Sequence, residues 1–166
     1  MDSAQLHLVL NHVPVIGTPC AAGILAWGLV RRSRDILRVG CGLAIVVAAS
    51  TYGVFLTGEP AERRVEDQPW FQERVAHQHE DRAELALTAA LISGLLAALT
   101  LWGSRGKRQV LRWSAVSTLA GLLLSAGLLG WTARVGGAIR HDKIRGGAAV
   151  AAPAAAGASA AVRDSD

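Results

Sequence analysis

Four long stretches of the chain contain no Asp, Glu, Lys or Arg, and this spacing constrains the fold more than any other feature. Three of them are residues 40–56, 85–104 and 114–133, and the fourth lies near the N-terminus at about 6–30. An apolar stretch of about 18 residues or more can cross a bilayer as a helix, whereas helices around a soluble core need a polar face. Charged residues make up only 18% of the chain, against about 25% in soluble domains. The sequence therefore predicts an integral membrane protein.

The predicted architecture is an all-α bundle of four transmembrane helices that forms a single domain over residues 1–145. Residues 146–166 are rich in Gly and Ala, a composition typical of a disordered tail. Thr57-Gly58-Glu59-Pro60 predicts a helix stop and turn, and Gly136-Gly137 predicts a break or tight turn after the last span. From Phe71 onward the chain lacks Gly and Pro, so it should join the third span as one helix. The spans are expected at about 6–30, 36–56, 84–103 and 113–133.

The basic residues predict the orientation of the chain. The short segment after the first span and the short segment after the third span each hold four Lys or Arg, and their only acid is Asp35. By the positive-inside rule both segments face the cytoplasm. Both termini and the segment between spans two and three are then outside, in what we expect to be a bacterial inner (cytoplasmic) membrane.

Several functional classes are disfavoured by the sequence. The net charge of +4 does not come from a basic patch with interleaved aromatic residues, which disfavours a nucleic-acid-binding role. Cys20 and Cys41 lie inside predicted spans without a CxxC or Cys/His spacing, so they are expected to be small buried side chains. No nucleophile–base set, phosphate-binding Gly-rich loop or HExxH motif is present. We therefore do not expect an enzyme that acts alone.

All five histidines fall at the predicted outer face. His7 and His12 open the first span, His77 and His79 precede the third, and His141 follows the fourth. Ionisable groups inside or at the edge of a membrane are candidates for function. The sequence therefore predicts a site at this face.

Helix geometry selects among these histidines. His77 and His79 are two residues apart and point to nearly opposite sides of a helix. The face of His79 continues through small residues typical of helix contacts, which places His79 toward the bundle and His77 toward water. His12 lies deeper than His7, and the two are about 140° apart around a helix. We predict that His12 and His79 face one another, and that His141 approaches only if Gly136-Gly137 folds the chain back.

Histidine clusters of this kind suit two cofactors. Three or four imidazoles suit a Cu, Zn or Fe ion, and two imidazoles on facing helices suit haem b in a four-helix bundle. Arginines at the same height could pair with haem propionates. Each histidine could instead be a packed, hydrogen-bonded or solvated side chain. The predicted cofactor-binding residues are His7, His12, His79, His141 and Arg140, and the predicted metal ligands are His7, His12, His79, His141 and Glu80.

Four sequence motifs resemble a family of uncharacterised bacterial four-helix membrane proteins of unknown function. They are LHLVLNHVPV at residues 6–15, TGEPAE at 57–62, His79-Glu80, and GGAIRH at 136–141. The resemblance covers about residues 6–145 and implies the four-helix fold. It includes His7, His12, His79 and His141 and leaves out His77, and it departs at Lys143, where the resemblance implies an acid.

The leading functional hypothesis is a small redox-associated membrane subunit that binds haem b or a transition-metal ion at the outer face. It would work in electron transfer beside other membrane redox subunits. One alternative is a structural or assembly subunit without a cofactor, whose polar face docks an extracytoplasmic protein. A third is an enzyme that acts alone on a lipid or a quinone.

Overall fold

The computed structural model describes residues 2–105 and 112–140, except for the side chain of Arg140. The expected tail at 146–166 and most of the second basic segment lie outside these residues. The described part of the chain is helical and has no strand. Its helices are α1 (Ser3–Arg31), α2 (Arg34–Leu56), α3 (Gly58–Val65), α4 (Glu73–Gly103) and α5 (Arg112–Arg140).

Four of these helices, α1, α2, α4 and α5, are long and apolar enough to cross a membrane. This confirms the predicted all-helical, multi-pass architecture. The helices extend beyond the predicted spans because polar residues continue them at the ends. At the start of α1, for example, the Asp2 side chain accepts a hydrogen bond from the Gln5 N–H while the Gln5 side chain bonds back to the Asp2 backbone, a capping box.

The turn between α1 and α2 is only two residues long. Arg32 adopts a left-handed conformation with φ 51°, and its N–H donates to the carbonyls of Gly28 and Leu29. Ser33 then begins α2, because its hydroxyl accepts a hydrogen bond from the Ile36 N–H. Such a short connection makes the two helices an antiparallel pair.

The four long helices form a closed bundle. α1 packs against α2 and α5, and α4 packs against the same two helices, so α1 and α4 occupy opposite corners. α3 packs mainly against α1 and covers its N-terminal end, where the Ser3 hydroxyl donates to the Pro60 carbonyl at 2.7 Å.

The interior of the bundle is built from small side chains. Most buried apolar side chains are small, such as Ala21 and Ala97, with Leu25 among the few large ones, whereas many other large apolar side chains face outward. A Cβ atom on Gly28 would lie 2.9 Å from the backbone nitrogen of Leu37, which shows how closely the backbones approach. In lipid, close packing of small residues brings helices together because apolar side chains gain nothing by avoiding the bilayer.

Buried hydroxyl groups supply the polar contacts of the interior. Ser93 and Ser125 lie 3.1 Å apart between α4 and α5, and Thr100 and Thr118 lie 3.3 Å apart. In the described chain, every buried Ser or Thr hydroxyl except that of Thr132 also donates to a carbonyl three or four residues earlier. These bonds satisfy the hydroxyls where no water is available.

The predicted helix stop and turn is present, because α2 ends at Leu56, Thr57 forms a turn, and the short helix α3 begins at Gly58. Two other local predictions are corrected by the structure. Gly136-Gly137 lies inside α5 and does not break it. Cys41 is buried as predicted, but Cys20 is exposed on the outside of α1, where only an apolar surface is needed.

Candidate functional site: a histidine pair between opposite helices

The rings of His7 and His79 meet inside the bundle, between the opposite corners formed by α1 and α4. Their centroids are 6.4 Å apart and their planes are nearly perpendicular, at 84°. Both side chains are partly buried. Each histidine comes from a different helix pair, so the tertiary fold alone brings the two rings together.

The tautomer of His7 is fixed by Thr57. The Thr57 hydroxyl donates its only proton to the Val54 carbonyl at 2.6 Å. The 2.8 Å contact between His7 Nδ1 and Thr57 Oγ1 therefore has the ring N–H as its donor. In the neutral ring, Nε2 then carries the free lone pair.

The tautomer of His79 is fixed in the same way by α5. Its Nδ1 lies 3.0 Å from the Thr132 carbonyl oxygen, which can only accept a hydrogen bond. The proton is therefore on Nδ1, and Nε2 again carries the lone pair. The hydroxyl of Thr132 is buried and has no hydrogen-bond partner among the described residues.

A glycine in α5 makes room for the His79 ring. A Cβ atom built on Gly136 would lie 2.9 Å from Cε1 and 3.1 Å from Nδ1 of that ring. Contacts below 3.0 Å are not tolerated by real Cβ atoms, so a side chain at this position would displace the imidazole. Gly136 therefore serves the packing of His79 and not a turn.

The hydrogen bonds of the two imidazoles resemble those of metal-binding histidines. Such a histidine usually donates its second ring N–H to a carbonyl or another oxygen, which orients the ring and fixes the tautomer. Two imidazole nitrogens bound to one ion at about 2.0–2.1 Å each place the ring centroids roughly 5–6.5 Å apart. The observed 6.4 Å lies at the upper end of this range.

His12 is not placed as predicted. It is exposed on α1, and its Nδ1–H donates to the Leu8 carbonyl of the same helix at 2.8 Å. The prediction that it faces His79 is corrected, because the angle of about 140° between residues five apart lets only one of the two reach the interior. His7 takes that place.

His77 points away from the pair, as predicted. It is exposed, and its two ring nitrogens lie 3.6 Å from carboxylate oxygens of Glu73 and Glu80. Glu80, predicted as a metal ligand, is therefore on the exposed side of α4 with His77. Within the described residues, no group of three or more His, Cys, Asp or Glu side chains is arranged to hold a metal ion.

Two further predicted residues are beyond what the structure describes. His141 lies outside the described residues, and Arg140 is described only as the last residue of α5. Their predicted roles therefore stay predictions.

Sequence reasoning missed the oxygen partners of the two rings. Thr57 was part of a motif but had no assigned role. Thr132 follows Thr118 and Ser125 at intervals of seven residues, and this spacing marks one face of α5. The position of Arg82 near the site was also missed. Its guanidinium stacks over the ring of Trp131, the residue before Thr132, at 4.4 Å.

Comparison of the chain with family models, with curated proteins and with solved structures finds no match. The resemblance drawn from the four sequence motifs stays a prediction.

Proposed function

We propose that this protein is a small membrane subunit that binds a transition-metal ion or the iron of haem b through Nε2 of His7 and of His79. The observation that carries the proposal is that both Nδ1–H groups are engaged, with Thr57 and with the Thr132 carbonyl. The remaining nitrogen of each ring is the one that a metal would use. Haem b, or a bound iron or copper ion, would supply one-electron chemistry. We therefore assign the subunit to redox processes.

Two residues beyond the described site are part of this proposal. His141 follows α5 directly and would be a third ligand of a bare ion, while a haem with two axial histidines needs none. Arg140 would pair with a haem propionate. The resemblance to four-helix membrane proteins includes both residues in one motif.

An absorption spectrum and a metal analysis of the same detergent-purified sample test the proposal. We expect either a Soret band or about one equivalent of Cu, Zn or Fe per chain, because the two imidazoles can hold a single metal centre. The double variant His7→Ala/His79→Ala, purified in parallel, is the control and should show neither. Parent protein without a Soret band and without stoichiometric metal, even after reconstitution with haem and with each ion, would refute the assignment.

The orientation of the site across the membrane is also proposed. Arg31, Arg32 and Arg34 lie at the end of the bundle opposite the histidine pair, and α4 ends beside Arg105 at the same end. By the positive-inside rule this end faces the cytoplasm of a bacterial inner membrane, and the histidine pair faces outward.

Reporter fusions check this orientation. A reporter after Asp166 should be active outside the membrane, and one inserted near Gly106 should be active only in the cytoplasm. The opposite pattern would place the histidine pair on the cytoplasmic side.

A cofactor-free structural subunit is the second candidate function. It is favoured by the fact that His7 and His79 already have hydrogen-bond partners outside their own helices. In this role the two rings would only stabilise the packing of the bundle. The exposed face of the bundle would dock an extracytoplasmic protein. The metal analysis separates the two functions, because a bracing pair needs no metal.

A further inference from the structure

An open groove lies between α1 and α2 at the arginine-rich end of the bundle, far from the histidine pair. Its volume is about 430 Å³, and it is lined by Gly23, Ile24, Trp27, Asp35, Ile36 and Val39. Apart from Asp35, these residues are apolar or aromatic. The groove is therefore an apolar surface depression on the outside of the α1–α2 pair, with one carboxylate at its end.

The shape of the groove follows from the sequence. Gly23 has open space around it, because a Cβ atom there would meet no described atom within 4 Å. Trp27 stands on the other side of this gap and is 57% exposed. A glycine beside a protruding indole leaves a hollow on a surface that otherwise carries large apolar side chains, and a lipid acyl chain fits such a hollow.

A cation and an anion flank the end of the groove. The guanidinium of Arg31 stacks over the Trp27 ring at 5.7 Å, so it lies beside one of the residues that line the groove. Asp35 is exposed in the first turn of α2. The two groups present opposite charges where a lipid headgroup would lie.

Asp35 forms no salt bridge with any described residue, although four arginines are close to it in sequence. Arg34 turns away, because its guanidinium donates to the Ser104 carbonyl at 3.4 Å. Among the described residues no cation therefore occupies this carboxylate, and a cation from outside the chain can contact it.

We infer that this groove binds an aminophospholipid. Its acyl chain lies along Gly23 and Val39, its phosphate contacts the Arg31 guanidinium, and its ammonium group contacts the Asp35 carboxylate. Charge-assisted hydrogen bonds to both ends of a zwitterionic headgroup give selectivity that a purely basic groove lacks. This inference does not depend on the histidine pair.

Native mass spectrometry of the detergent-solubilised full chain, titrated with single lipids, tests the inference. We compare phosphatidylethanolamine, its trimethylated analogue phosphatidylcholine, and anionic phosphatidylglycerol. Phosphatidylethanolamine should bind about tenfold more tightly than phosphatidylcholine, because only a primary ammonium can donate hydrogen bonds to Asp35. Asp35→Asn should remove this preference, while Arg31→Gln should weaken all three lipids.

Asp81→Asn is the matched control, because Asp81 is an exposed acid on α4, away from the groove, and this variant should keep the preference. The inference is overturned if phosphatidylethanolamine and phosphatidylcholine bind equally to the parent. Stronger binding of phosphatidylglycerol would show that the groove selects only for the negative charge of the lipid and would also overturn the inference. So would an unchanged preference in Asp35→Asn, or displacement of all lipids by a second copy of the chain.

Discussion

Replacing His79 with alanine should abolish metal binding, and replacing His7 should do the same. Each ring provides one nitrogen of a pair, and no described His, Cys, Asp or Glu side chain can substitute for it. We expect a loss of affinity of more than about 100-fold for each variant, beyond the 10–100-fold seen when only an outer-shell partner is removed. Equilibrium dialysis with the metal found in the parent, together with the absorption spectrum, measures the effect.

Two matched variants belong to this experiment. His12→Ala and His77→Ala should bind like the parent, because both side chains are exposed and turned away from the pair. Circular dichroism should show unchanged helicity in all four variants, which separates a lost ligand from a lost fold. If His12→Ala abolishes binding while His7→Ala does not, the site is not the one the structure describes. The further variant His141→Ala distinguishes the two cofactors. Its affinity should fall only if the cofactor is an ion with three or more protein ligands, because a haem with two axial histidines does not need His141.

Gly136→Val should weaken metal binding by about 10–100-fold without removing either ligand. The valine side chain would occupy the space of the His79 ring, which already lies 2.9 Å from the Cβ position. The ring would have to turn away from the Thr132 carbonyl and lose the hydrogen bond that orients it. Loss of such an orienting partner typically costs this much affinity.

Gly130→Val is the matched control for this change. It lies on the same helix, and a Cβ atom there would meet no described atom within 4 Å. The control variant should keep the affinity of the parent and a similar thermal midpoint. Equal metal affinity in Gly136→Val and Gly130→Val would mean that the orientation of His79 is irrelevant to binding.

Charge distribution alone was enough to predict the helical, membrane-spanning part of the fold. A charge-free stretch in a bilayer has few alternatives to a helix, because each backbone N–H and C=O must be satisfied within the segment. The inward orientation of His79 was also predictable, since Ala86 and Ser93 follow it at intervals of seven residues on the buried side of α4. Their small size marks a face that contacts other helices.

The prediction that His12 faces His79 differs from the structure because α1 is apolar on all sides. Such a helix has no polar face that would tell which side is buried. The relevant signal is a seven-residue series of His7, Pro14, Ala21 and Gly28, the last three of which are buried. Depth in the membrane, on which the choice of His12 rested, carries no information about direction around a helix.

The short helix α3 and the role of Gly136 could not be predicted from local sequence. Thr57 lies between α2 and α3, and its hydroxyl contacts His7, a residue 50 positions away that local sequence does not reveal. Gly136 was assigned to a turn because glycine favours turns in isolation. The structure shows instead that a glycine at this position leaves space for the His79 ring, which belongs to another helix.

The opposite-corner placement of His7 and His79 has a consequence for biogenesis. The α1–α2 hairpin brings one imidazole, and the α4–α5 hairpin brings the other together with the Thr132 carbonyl that orients it. Neither hairpin alone holds both imidazoles, so the proposed metal centre could form only after the two halves have docked. Cofactor loading would then come late in assembly, and a nascent chain that stalled before α5 would lack the carbonyl that orients His79 and would bind metal weakly. If the two halves were produced as separate polypeptides, a bound metal would link them across the seam between them.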